Sequence, residues 1–170
     1  MLWLEEHEHL SPHEVAVALE SRSGLLALAG TGDMREVEAA ADRGEPDARL
    51  AIDVYTHRLA GGIAAMSAAT GGVDVLAFTG GVGEHSAAVR RRAAGRLAFL
   101  GVAIDRRRND MFHGDGTGGG GTGRDSTGDD GPGDDDSDIT RAGATVRTLV
   151  ITAREDLQIA REARRLLATR

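Results

Sequence analysis

Phe78-Thr79-Gly80-Gly81-Val82-Gly83-Glu84-His85-Ser86 decides how this chain reads. An apolar run, Val73-Asp74-Val75-Leu76-Ala77-Phe78, stops at three glycines in four positions, and a helical pattern opens at Ser86. A strand feeding a glycine turn and then a helix lets backbone N–H groups approach an anion or a nucleotide with no Cβ in the way. Glycines also end strands for steric reasons alone. Two further junctions strengthen the signal: the turn Gly30-Thr31-Gly32-Asp33-Met34-Arg35, and the acidic pair Glu155-Asp156 just past another apolar run. Three such corners in one chain point to a nucleotide site.

Working outward, residues 73–79 form a predicted strand, and a helix runs from Ser86 to about Leu100, where Gly101 stops it. Val102-Ala103-Ile104 is a short strand candidate and Thr145 to Ile151 a stronger one, after which Glu155 to Leu167 closes the chain as a helix. On the N-terminal side, Leu10-Ser11-Pro12-His13-Glu14-Val15 is a complete helix start, with Ser11 as cap, Pro12 at the first helical position and Glu14 closing a capping box. Asp33 to Glu36 repeats that logic before a helix ending near Gly44. Pro46 opens the longest helix, with Ile52, Tyr55, Leu59, Ile63 and Met66 as one apolar stripe. Gly61-Gly62 is expected to interrupt it and to admit close packing, and Gly71-Gly72 to end it. Strands alternating with helices predict an α/β fold, a mixed sheet flanked by helices. A single domain is expected over residues 1–112 and 139–170.

Residues 113–138 hold ten Gly, eight Asp and one Arg, so the chain's net charge of −7 resides there and the remainder balances. Such a segment has no apolar area to offset the entropy of ordering and is expected to be a disordered insertion. Gly120-Gly121-Thr122-Gly123-Arg124-Asp125 matches the start of a calcium-binding nonapeptide, but that motif works as stacked copies and here stands once, so a solvated acidic loop is the expectation. Elsewhere no charge bias argues for nucleic acid or a membrane surface. There is no Cys, no apolar run approaches a membrane span, and the N-terminus is acidic where a leader would be basic. A cytoplasmic protein is expected.

Several residues have plain readings. Arg90-Arg91-Arg92 reads as a solvated helix face, and Trp3, Tyr55, His57 and Met66 read as packing. His7 and His9 stand two apart and diverge on a helix. Arg35, read from its neighbours, pairs with Glu36 or Glu38, and Asp33 is foremost an N-cap.

At this point four collinear stretches resemble acetate kinases. Glu20-Ser21-Arg22-Ser23-Gly24-Leu25-Leu26-Ala27-Leu28-Ala29-Gly30-Thr31-Gly32-Asp33-Met34-Arg35-Glu36 is similar to one segment of that family, and Ala48-Arg49-Leu50-Ala51-Ile52-Asp53-Val54-Tyr55-Thr56-His57-Arg58 to another. The glycine stretch with Val89-Arg90 and Leu97-Ala98-Phe99-Leu100-Gly101-Val102 continues the likeness, and Ile151 through Ala160 resembles the family's closing motif. The resemblance implies a C-terminal ribonuclease-H-like domain of the actin-like ATPase superfamily, with ATP and Mg²⁺ as cofactors.

The same resemblance implies residue roles. Asp33, Met34 and Arg35 match the adenosine-contacting triplet, and Gly81, Val82, Gly83, Glu84 and His85 match the second ATP-binding loop, His85 standing where Asn is usual. Glu155 matches the metal-ligand Glu, preceded by Arg154 where a neutral polar residue is usual. The implied activity is transfer of phosphate from ATP to acetate, or another short carboxylate, to give acetyl phosphate. The family's catalytic residues, its acid pocket and its first phosphate loop correspond to nothing in this sequence. The implied partners are a complementing N-terminal half or a second copy in a homodimer, and self-association is expected. The alternative is a non-catalytic remnant that binds nucleotide without turnover, or a dimerisation module.

Overall fold

The structure, a computed structural model, describes residues 2–8, 10–112 and 136–168. The chain falls into two compact units, residues 1–63 and 64–170.

The first unit is helical: α1 (Leu2–His7), α2 (Pro12–Ser21), α3 (Gly24–Ala29), α4 (Met34–Asp42) and most of α5 (Pro46–Thr70). The capping box forms as predicted: Ser11 Oγ accepts from the Glu14 amide at 3.2 Å, and Glu14 accepts from the Ser11 amide at 2.8 Å. Gly30 ends α3 in the left-handed region at φ 76°. The Asp33 to Glu36 start differs from expectation. Asp33 caps the Arg35 amide, but Glu36 turns to the Thr31 hydroxyl at 2.6 Å, and that hydroxyl accepts from the Asp33 amide. Trp3 is exposed and stacks on the His7 ring instead of packing inward.

In α5 the glycine pair does not interrupt the helix, which runs unbroken for 25 residues. No described atom lies within 4 Å of where a Cβ would stand at Gly61 or Gly62, so the close packing expected there is absent among the described residues. Of the predicted stripe only Ile52 is fully buried, while Tyr55, Leu59 and Ile63 are half-buried. Ala48, Ile52, Thr56 and Ala60 are buried, whereas Met66 is 64% exposed. Spacing of four residues places those side chains on one face, and Thr56 satisfies its hydroxyl on the Ile52 carbonyl at 2.8 Å. At the far end Gly71 turns left-handed (φ 76°) and the Gly72 amide reaches back to the Ser67 carbonyl at 2.8 Å, which closes the helix.

The second unit holds the sheet. Its elements are β1 (Val75–Phe78), α6 (Gly80–His85), α7 (Ala87–Arg96), a 3₁₀ turn (Ala98–Leu100), α8 (Arg106–Met111), β2 (Ser137–Asp138), β3 (Arg147–Val150) and α9 (Glu155–Ala168). Strand order is β1-β3-β2, with β1 parallel and β2 antiparallel to the central β3. The expected mixed sheet with helices is present. The 102–104 candidate contributes single pairings, Val102 with Val146 and Ile104 with Thr140. Leu76, Phe78, Thr148 and Val150 face inward, in register as Leu76 opposite Thr148 and Phe78 opposite Val150.

The Gly/Asp-rich stretch needs one correction. Most of it, with the calcium-like repeat, lies outside the described residues, but its last residues are structured. Ser137 and Asp138 form β2, Asp136 accepts from the Thr152 amide at 3.0 Å, and Asp138 pairs with Arg147 at 2.9 Å. Composition averaged over the whole segment hides these local partners.

Two positions set limits on substitution. Gly101 sits at φ 88°, and a Cβ there would collide with the Thr145 hydroxyl. Thr148 is fully buried, and its hydroxyl lacks a hydrogen-bond partner among the described residues. Gly101→Ala is therefore expected to destabilise by more than ~1 kcal/mol. Thr148→Val, which removes the orphan hydroxyl at near-constant shape, is expected to stabilise by ~1 kcal/mol. Urea unfolding of both variants checks the opposite signs.

Candidate functional site

Parallel pairing sets the C-terminal ends of β1 and β3 side by side, and the Ile151 amide bonds the Phe78 carbonyl at 2.9 Å just beyond them. Open α/β sheets bind ligands at such carboxyl ends. The glycine turn and the start of α9 both emerge here. Its glycines have separate tasks. Gly80 takes φ 72°, which turns the chain off β1. Gly83 packs on the strand end, where a Cβ would lie 3.3 Å from the Phe78 carbonyl carbon. Gly81 meets nothing, so its backbone is uncovered. The amides of Gly81 and Val82 fall in the first turn of α6, where N–H groups have no intrahelical acceptor.

Glu84 holds this corner together. It is 5% exposed, and its Oε1 accepts from the Gly80 amide at 2.7 Å and from the Ala153 amide at 2.9 Å. One carboxylate oxygen thus ties the glycine turn to the loop that delivers Glu155. Its side chain is committed to backbone amides, a positioning role that the sequence pattern did not separate from ligand contact.

Arg90 corrects a sequence expectation. Far from lying on a solvated face, it is fully buried. Its guanidinium donates to the carbonyls of Gly83 (2.8 Å) and Glu84 (2.6 Å), and to the Asn109 side chain (2.7 Å) and carbonyl (2.8 Å). Phe112 covers it at 5.4 Å from the ring centre. Asn109, also fully buried, uses its amide nitrogen on the Ala87 carbonyl at 3.0 Å. The planar fork of Arg satisfies several acceptors at once, as a Lys would not. Burial is decided by Gly83 and Asn109, 7 and 19 residues away, and no local pattern marks it.

His85 is exposed, with Nδ1 2.9 Å from the Gly81 carbonyl. A carbonyl can only accept, so Nδ1 carries the proton in this bond and Nε2 remains for an outside partner. Glu155 is the first residue of α9, but its side chain lies outside the described residues. Among the described residues, no group of three or more His, Asp or Glu could hold a metal.

Asp33, Met34 and Arg35 belong to the first unit, the other six predicted residues to the second. The side-chain hydrogen bonds of Arg35 go to Asp33, and Glu36 adds a lesser attraction through its charge. Arg35 forks onto Asp33, Nε to Oδ1 at 3.1 Å and a terminal nitrogen to Oδ2 at 2.7 Å, while its amide also donates to Oδ1 at 2.9 Å. These bonds, the side-chain ones foremost, hold the Asp33 carboxyl down at about 2. The Arg35 side chain is 85% exposed. Met34 is buried.

The acetokinase family profile matches residues 1–119. The chain belongs to the acetokinase family. The acetate kinase of Deinococcus deserti is 39% identical over 161 residues, covering 94% of this chain and 35% of that protein. That of Clavibacter sepedonicus is 36% identical over 160 residues, with the same coverages. The crystal structure of Porphyromonas gingivalis acetate kinase superposes with a TM-score of 0.77 at 29% identity, covering 98% of this chain and 37% of that one. A Francisella tularensis propionate kinase gives 0.75 at 30% identity, covering 95% and 36%. The chain therefore spans about a third of the length of these relatives, matching their C-terminal part, and has their actin-like ATPase fold.

Two outcomes follow for Asp33 and Arg90. Asp33 carries the lowered pKa in the folded state, so its contribution to stability is full above the ordinary carboxylate range and is lost as pH falls through about 2. Arg35→Gln is expected to return the Asp33 midpoint toward the ordinary ~3.9, read by carbon NMR of the side-chain carboxyl. Arg90→Met leaves buried carbonyls unpaired and is expected to cost ~3 kcal/mol or more. Denaturant unfolding, with Arg92→Met at an exposed position as the control, measures that difference.

Proposed function

We propose that this chain supplies the C-terminal half of the ATP–Mg²⁺ site of an acetate-kinase-type phosphotransferase. The reaction is ATP plus acetate giving ADP plus acetyl phosphate. An acetate oxygen forms the new bond to the γ-phosphorus in line with departure of the ADP oxygen. The observation that carries the reading is the Glu84 link, which joins the glycine turn, with Gly81 exposed, to the loop leading to Glu155 in a chain of this family.

Phosphoryl transfer asks the protein for alignment and for donors aimed at phosphate oxygens. Backbone amides of Gly81 and Val82 suit that task, because first-turn N–H groups lack an intrahelical acceptor, and Gly83 lets the turn sit close on the strand end. His85 offers Nε2 as one further contact. Asp33, Met34 and Arg35 are the residues we assign to the adenosine end. Mg²⁺, when bound, would offset charge on the phosphate oxygens; it takes one or two protein carboxylates beside water and phosphate, so Glu155 suffices as this chain's ligand.

Among the described residues no helix is long and apolar enough to cross a membrane, and we assign the protein to the cytoplasm as a homodimer or as the partner of a complementing N-terminal half. A second reading, a nucleotide-binding module without turnover, is favoured by one fact: the chain covers 35% of the length of acetate kinases it matches. The acid acceptor, acetate or propionate, depends on residues that this sequence does not contain.

Calorimetry with ATP–Mg²⁺ tests the half-site, the expected result being binding that Gly83→Val abolishes. Absence of heat together with an unshifted melting temperature would overturn it. An acetyl phosphate assay on the purified chain then separates the two readings: turnover by the chain alone excludes the non-catalytic one.

A further inference from the structure

The second unit has a cavity of about 400 Å³ toward the end of the sheet opposite the glycine turn. Its walls come from α7, the stretch Gly101–Ile104, the first residue of α8, and the turn 141–145 that leads into β3. Val146 pairs with Val102 beside this cavity, whereas Val150 pairs with Phe78 beside the glycine turn. Four residues of strand, about 13 Å, separate the two ends.

Three arginines line the cavity, Arg91, Arg106 and Arg141, and no carboxylate does. Most of the other lining residues are Gly or Ala, which leave the space open. Arg91 touches Asp110 outside the lining at 3.3 Å. Arg106 and Arg141 make no side-chain hydrogen bond or ion pair with a described residue. The base of Arg141 is nevertheless fixed, since its amide donates to the Ala103 carbonyl at 2.9 Å and its carbonyl accepts from Ala144 at 3.1 Å. The charged side chains that line this concavity are all cationic.

We propose that this cavity binds a small phosphate-bearing anion. Its volume falls in the range of small-molecule sites and is too small for a macromolecule. Guanidinium forks match phosphate oxygens in geometry and keep their charge at any physiological pH. Arg106 and Arg141, beside an Arg91 whose charge Asp110 partly offsets, suit a ligand carrying two negative charges. The inference is independent of the nucleotide reading, because no residue is shared between the two places.

Backbone amide NMR of the full chain, titrated separately with inorganic phosphate, pyrophosphate and glucose 6-phosphate, tests it. Pyrophosphate is expected to shift the amides of Arg106, Arg141 and Ala144. The Arg106→Gln/Arg141→Gln double variant should weaken binding by about tenfold or more with an unchanged circular dichroism spectrum. Should the double variant not fold, Arg141→Gln alone, in an exposed turn, is expected to weaken it several-fold. Tighter binding of the sugar phosphate would mark an organic phosphate as the ligand, and tighter binding of pyrophosphate an inorganic one. The proposal is overturned by shifts confined to residues 80–84, by no shift at millimolar probe, or by equal affinity in the variants. ATP–Mg²⁺ shifts at the glycine turn report on the nucleotide reading separately.

Discussion

A single carboxylate oxygen, Oε1 of Glu84, is the constraint on which the candidate site rests. It accepts from amides 69 residues apart in one case and four in the other, and so fixes two loops that the sheet merely brings near each other. Both amides are only partly buried, so each bond contributes ~1 kcal/mol, the ordinary net worth of a hydrogen bond. The oxygen therefore stabilises geometry as much as it stabilises the fold.

Behind it Arg90 completes the arrangement. A helix of six residues is too short to persist alone, since nucleation is paid before propagation contributes. Here α6 is held at its start by Gly80 donating to Glu84, and at its end by Arg90 donating to two of its carbonyls. Ser86 then caps α7 at the Val89 amide, so the next helix begins without slack. Rigid backing of this kind lets the exposed backbone of Gly81 stay uncovered.

Much of this was legible in the residues, and the exceptions share a cause. The strand–glycine–helix order, the Ser11 cap and the stop at Gly71-Gly72 are local signals, settled by backbone conformation and by partners within a few residues. Arg90 escaped because its acceptors lie on other elements, and a triple-arginine run looks solvated until a packed helix covers it. The buried face of α5 escaped because Ala48, Thr56 and Ala60 carry little apolar weight, so the larger Tyr55, Leu59 and Met66 drew the stripe one position over. Asp138 was lost in the average of an acidic segment, although its Arg147 partner lies only nine residues on. Asp33 kept its capping role, while its bond to Arg35 replaced the expected ones because the fork of a guanidinium two residues away reaches both oxygens at once.

The edges of the Gly/Asp-rich stretch are sewn together. The Asp105 amide bonds the Ile139 carbonyl at 2.7 Å, Arg141 bonds Ala103, and Ile104 pairs with Thr140. That closure lies seven residues before Phe112 and three after Asp136. The cost of a longer connection then grows only with the logarithm of its length, about 0.6 kcal/mol for each doubling. That junction is a natural port for grafted sequence, such as a reporter or a whole foreign domain, with the sheet itself left undisturbed.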